Sequence, residues 1–186
     1  MSDDSTSART LHCIRREEFE AWRARQPAAT AQWLQAHGFD AAPGALLVLP
    51  ATDGSTGSAV LGIGDPHDPL SYAGAPFALP QGEWEAHGVP DDEARKALQL
   101  GWGLGSYRFA RYRTLPRPPA RLRIDQADAE TDNVLAACLR VRDLVNTPAD
   151  DLGPPQLEDA LRELAAQYGA DMASIVGDEL LKRNFP

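Results

Sequence analysis

The chain has 186 residues, 43 % of them hydrophobic and 24 % charged, with a formal net charge of −9. Such a chain is long enough for one soluble domain, or for one domain and part of a second. The acidic balance disfavours general nucleic-acid binding and adhesion to anionic membranes, because both partners are themselves negative. No apolar run approaches the ~20 residues that a membrane-spanning helix needs. Nor does the N-terminus show the basic-then-apolar order of a secretory leader. Cys13 and Cys138 lack metal-type spacing, so free thiols and a cytoplasmic location are expected.

In chain order, residues 1–8 are small and polar and read as a disordered tail. Residues 16–26 favour helix, with Phe19 and Trp22 one turn apart. Pro27 suits the first turn of a second helix over Ala28 to His37, and Gly38 ends it. Ala45 to Leu49 is a continuous apolar run that reads as a buried strand, and Ala59 to Ile63 is another. The turn composition of Thr52 to Gly57 joins the two as a hairpin. A further short strand is expected around Phe77 to Leu79.

A long helix begins near Asp91, where Asp91, Asp92 and Glu93 suit the positive helix end. It carries Gly101, Gly103 and Gly105, each costing ~1 kcal/mol against alanine. Ala97, Gly101 and Gly105 fall four apart and predict close approach of a neighbouring backbone. Residues 114–120 are proline-rich and irregular, and Leu122 to Ile124 reads as a strand. Glu130 to Val145 is the clearest helix, with Val134, Ala137, Cys138, Val141, Leu144 and Val145 on one face. Cys138 reads there as a small buried hydrophobe. Asn146-Thr147-Pro148 stops that helix, and Pro154-Pro155 starts another that Gly169 ends. A strand over Met172 to Val176 and a helix from Gly177 follow.

Chemistry is sparse. His12, His37, His67 and His87 show no helical ligand spacing, and Asp65-Pro66-His67-Asp68 reads as a turn with solvated charges in preference to a zinc site. Gly-x-Ser-x-Gly is absent, and Cys13, beside the expected tail, has no evident base. Gly101 to Gly105 follows helical sequence and lacks dinucleotide-loop spacing, while Gly62-Ile63-Gly64 is a weak phosphate-loop candidate. Asp91-Asp92 and Asp150-Asp151 sit at helix entries, where capping explains them. Arg108, Arg111, Arg113, Arg117, Arg121 and Arg123 interleave with Tyr107, Phe109 and Tyr112. That stretch is either a solvated helix end and loop or a site for RNA or an acidic partner. No catalytic, metal or cofactor-binding residue is assigned.

Two segments resemble a known family. Arg142-Asp143-Leu144-Val145-Asn146-Thr147-Pro148 to Leu152 resembles the run joining the two domains of leucyl aminopeptidases (cytosol aminopeptidases, peptidase family M17). Leu100 to Phe109 resembles the glycine-rich helix that precedes this connector in a bacterial branch. The resemblance implies an α/β fold. A macro-like N-terminal domain with a mixed sheet flanked by helices would occupy residues 9–126. A connecting helix would span 127–149, and 150–186 would be an incomplete helix-strand-helix start of a catalytic domain. It further implies release of N-terminal residues from peptides by the full-length protein, using two divalent metals (Zn or Mn). Their lysine and carboxylate ligands lie in motifs, such as Asn-Thr-Asp-Ala-Glu-Gly-Arg, that do not occur here. The chain alone is thus expected to be an inactive accessory portion. Its partner would be the missing catalytic domain, in a homo-oligomer with no nucleic acid and no membrane. The alternatives are a free-standing macro-like module for a nucleotide or protein, with a cleft near Gly62-Ile63-Gly64, and an RNA-binding regulator.

Overall fold

The structure, a computed structural model, describes residues 8–114 and 117–185, so most of the expected tail lies outside the described residues. Two compact units divide between Leu139 and Arg140.

The first unit is built on a five-stranded mixed sheet. Its strands are β1 (Arg9–Arg15), β2 (Leu46–Pro50), β3 (Thr56–Ile63), β4 (Glu83–His87) and β5 (Arg121–Leu122), in the order β2-β3-β1-β4-β5. β2 and β3 form the expected antiparallel hairpin, while β3, β1, β4 and β5 run parallel. The helices are α1 (Phe19–Arg23), α2 (Ala28–Ala36), α3 (Ala75–Ala78), α4 (Asp92–Ser106) and α5 (Ala129–Asn146), the last crossing the boundary between the units.

Alternation along the strands splits the core into two layers. Leu11, Cys13, Leu61 and Trp84 point to one face, where Tyr72, Leu79, Leu98 and Trp102 cover them. Ile14, Val60 and Leu49 point to the other, beneath Phe19, Leu34 and Ala41. The buried aromatics keep their polar atoms satisfied. Trp84 Nε1 donates to Pro80 O at 3.0 Å, Trp102 Nε1 to Ala120 O at 3.0 Å, and Tyr72 Oη to Pro66 O at 2.9 Å.

The glycines of α4 do what their spacing predicts. A Cβ on Gly101 would lie 1.9 Å from Pro69 O, and one on Gly105 would lie 2.0 Å from Ala73 O. Backbone from residues 69–73 therefore lies directly on the helix, which offsets the propensity cost. Gly103 faces elsewhere, against the Leu135 side chain of α5. A buried amide completes this join. Gln99 donates to Asp128 O at 3.0 Å and to Asp132 Oδ1 at 2.6 Å, and accepts from Asp128 N at 2.9 Å.

Two expectations fail. Phe77 to Leu79 is not a strand, because Pro76 and the Leu79 N–H bond to Ala75 O make residues 75–78 one turn of helix. Met172 to Val176 is not a strand: the segment has no regular structure and joins no ladder with the described strands. Cys13 lies in the central strand, 1 % exposed, and burial pushes its thiol up to about 12, away from the thiolate a nucleophile needs.

The second unit holds the end of α5, then α6 (Pro154–Tyr168) and α7 (Asp178–Lys182). Gly169 takes φ 63° and closes α6, as its position foretold. Neither α6 nor α7 has a buried residue.

Candidate functional site

Parallel strands expose their carboxyl ends at one edge of the sheet, the usual place for a ligand in an open α/β sheet. Beyond β4 and β5 that edge holds a half-open cleft of about 500 Å³. Glu85 and His87 enter it from β4, Arg95 from the first turn of α4, and Arg123 and Asp125 from the chain after β5. Val89, Leu98 and Ile124 add apolar surface. His87 Nε2 lies 3.5 Å from Glu85 Oε1, and Arg123 Nε lies 3.7 Å from Asp125 Oδ1. Arg95 pairs with Asp92. On the strand beside β4, the His12 ring packs at a tilt against Trp22, centroids 5.3 Å apart, and His12 lies opposite His87. Burial, and then the nearby His87, hold its pKa below the usual 6.5.

The motifs noted in the sequence take structural roles. His67 Nε2 sits 3.0 and 3.2 Å from the two carboxylate oxygens of Asp91, and its Nδ1 lies 3.3 Å from Asp65. Asp91 also accepts from Ala94 N at 2.9 Å as the N-cap of α4. The His67 pKa is raised, by the Asp91 hydrogen bond first, and that of Asp91 is lowered by Ala94 N and then by His67. Asp68 turns away and accepts from Leu70 N at 2.9 Å. This is a latch between a turn and a helix. Among the described residues, no group of three or more His, Cys, Asp or Glu is disposed to hold a metal.

Gly62 does not open a phosphate loop. A Cβ there would lie 2.2 Å from Ala42 O, so the segment at residues 41–42 fills the space. Part of the arginine-aromatic stretch also turns inward. Arg108 lies 3.8 Å above the Phe77 ring, and Arg117 donates to Phe77 O and, at 3.1 Å, to Leu79 O. Those guanidiniums staple the chain to α3. Arg121 pairs with Glu83 at 3.3 Å.

The second notable surface is apolar. Val141, Val145, Leu157, Leu161 and Tyr168 are exposed on α5 and α6, Val145 at 77 %. Among the described residues, nothing covers the face whose periodicity marks a core-facing helix. Cys138 on the same helix is half-buried. Among the described residues, no helix is long and apolar enough to cross a membrane.

Residues 10–125 match the model of the M17 aminopeptidase N-terminal domain. A probable cytosol aminopeptidase of Geotalea uraniireducens (strain Rf4) is 29 % identical over 107 residues, covering 50 % of this chain and 22 % of the relative. The crystal structure of a cytosol aminopeptidase from Coxiella burnetii superposes with a TM-score of 0.87 at 29 % identity, over 98 % of this chain and 40 % of that one. The bottromycin maturation enzyme BotP, in complex with Mn, superposes with a TM-score of 0.68 at 27 % identity, over 95 % of this chain and 40 % of that one. The chain thus spans well under half the length of these relatives. A match over residues 10–125, on the mixed five-stranded sheet described above, places this chain in the M17 aminopeptidase family, as its N-terminal domain.

Proposed function

We propose that this chain is the accessory N-terminal portion of a metal-dependent aminopeptidase that removes N-terminal residues from peptides. The observation that carries this reading is the Coxiella burnetii superposition, which takes in 98 % of this chain but only 40 % of the aminopeptidase. On this reading residues 9–126 are the accessory domain, 127–149 the connecting helix and 150–186 the start of the catalytic domain. The exposed apolar side of α5 and α6 is then where the rest of that domain would pack. The parent would be a cytoplasmic homo-oligomer.

Divalent metals, bound in the catalytic domain, would polarise the scissile carbonyl and lower the pKa of the attacking water. The described residues of this chain do not offer a donor set that fits such ions, so no step of that chemistry is assigned to them. This chain's part is to fold independently and to present α5. Gln99 holds the first turns of α5 through Asp128 and Asp132. Arg108 and Arg117 each hold to α3 and its end, through Phe77 and Leu79.

The test is to capture the native protein from source cells with antibody against this chain. Its size and its hydrolysis of leucine p-nitroanilide with Mn²⁺ are then measured. The reading predicts a protein well above the size of this chain that is active, with the 186-residue chain inert. A native protein of this chain's own size, inert with Mn²⁺ and Zn²⁺, would contradict it.

A further inference from the structure

The cleft beyond β4 and β5 draws no lining residue from the exposed apolar side of α5 and α6, and its chemistry points to a ligand of its own. Its walls carry both signs of charge. Arg95 and Arg123 are matched by Glu85 and Asp125, over the apolar surface of Val89, Leu98 and Ile124. Arg95 is already held close to Asp92 on its own helix, in an exposed pair, and the other internal pairs are loose. Arg123–Asp125 spans 3.7 Å and His87–Glu85 spans 3.5 Å, with every partner at least 42 % exposed. Pairs of that kind contribute little and exchange readily for a better-placed partner.

We propose that this cleft binds a free aliphatic α-amino acid. Its carboxylate would sit on the guanidiniums of Arg95 and Arg123, whose planar forks suit a carboxylate. Its ammonium would sit between Glu85 and Asp125, and its side chain on Val89, Leu98 and Ile124. Charge decides the ligand class. Phosphate would gain the two arginines but meet Glu85 and Asp125, and a simple cation would meet the arginines. Only a zwitterion satisfies both signs together. The first turn of α4, which supplies Arg95, adds the positive end of a fifteen-residue helix on the carboxylate side. About 500 Å³ is within the range of small-molecule sites and is ample for one amino acid with water. The exposure of the charged groups sets the affinity low, with Kd of order 1 mM, about −4 kcal/mol. As a sensor of released product, the site rests on the aminopeptidase reading. As a binding site, it does not.

The experiment is a titration of the 186-residue chain with leucine, followed by ¹H–¹⁵N NMR. Leucine is predicted to shift the amides of residues 85–89 and 123–126 saturably. N-acetylleucine, which lacks the ammonium, and leucinamide, which lacks the carboxylate, are each predicted to bind about tenfold more weakly. Arg123→Gln should bring leucine down to the level of leucinamide, while Arg123→Lys keeps part of the difference. Three results would overturn the proposal: no saturable shift with leucine, equal binding of leucine and both blocked forms, or stronger binding of inorganic phosphate at the same amides. The two readings fail separately. An active parent whose cleft ignores leucine removes only the site, and an inactive parent whose cleft binds leucine removes only the peptidase assignment.

Discussion

The two units of this chain are written in similar amphipathic sequence and end in different states. In the first, α4 lays Ala97, Leu98 and Trp102 on a sheet that carries Leu11, Cys13 and Trp84, and all are buried. In the second, α6 carries Leu157, Leu161 and Tyr168 along one side and buries none of them. Periodicity tells that a helix has an apolar face, but not whether the cover for that face lies in the same chain. The first unit covers its apolar faces, whereas the described residues of the second leave that of α6 exposed, and on the proposed reading this face is one side of an interface.

The largest effect should come from removing the centre of the first unit. Trp84 is 0 % exposed and packs in the larger core layer. Trp84→Ala is predicted to cost ~3–5 kcal/mol, read by urea denaturation, and loss of most of the sheet's circular dichroism would be unsurprising. Gly101→Ala comes next. The new methyl would gain ~1 kcal/mol in helix propensity but strike Pro69 O at 1.9 Å, for a net loss of ~2–3 kcal/mol. A neutral or stabilising result would show that the 69–73 segment yields easily, and the close-approach account would fall.

Much of this contrast could be read from residues alone, and the misses have physical causes. α4, α5 and α6 were legible because helical spacing, caps and proline stops agree at Asp91, Pro148, Pro154 and Gly169. β1 was not, because a central parallel strand of sequence Arg-Thr-Leu-His-Cys-Ile-Arg has no uninterrupted apolar run. β4 alternates Glu-Trp-Glu-Ala-His, with residues that carry weak strand preference around its one buried tryptophan. Met172 to Val176 has strand-like residues, but a strand exists only with a partner. The cleft was invisible for a different reason. Its charges come from three distant segments, and each alone reads as a solvated side chain.

Smaller effects sharpen the contrast from the other side. Val141→Ser with Leu161→Ser should change the stability of this chain by no more than ~0.5 kcal/mol, because both positions are already exposed. The same pair in the longer parent should weaken retention of the catalytic domain, measured as lost aminopeptidase activity or domain release on limited proteolysis. A large destabilisation of this chain alone would mean that the second unit has a core of its own.

The smallest effect is the pH response of the His67–Asp91 latch. The His67 pKa is raised from 6.5, so its contribution is full below 6.5 and fades as pH rises through the folded value. Asp91 is lowered from 3.8, so its contribution is full above 3.8 and fades as pH falls through the folded value. The latch is therefore strongest between these two limits. His67→Ala should flatten the decline of the thermal midpoint as pH rises above 6.5 through the folded His67 value, and an unchanged profile there would show that the contact carries no linkage. His12 runs the opposite way. With its pKa lowered by burial and by His87, its contribution holds above 6.5 and is lost as pH falls, and His87→Ala should raise its titration in NMR.

The most direct test of the account is amide hydrogen exchange, measured on this chain alone and again within the longer parent. The account predicts slow exchange in β1, β3 and the centre of α4 in both. It predicts fast exchange in α6 of the isolated chain and strong protection of α6 once the catalytic domain is present. Protection of α6 in the isolated chain equal to that of β1, unchanged in the parent, would contradict it.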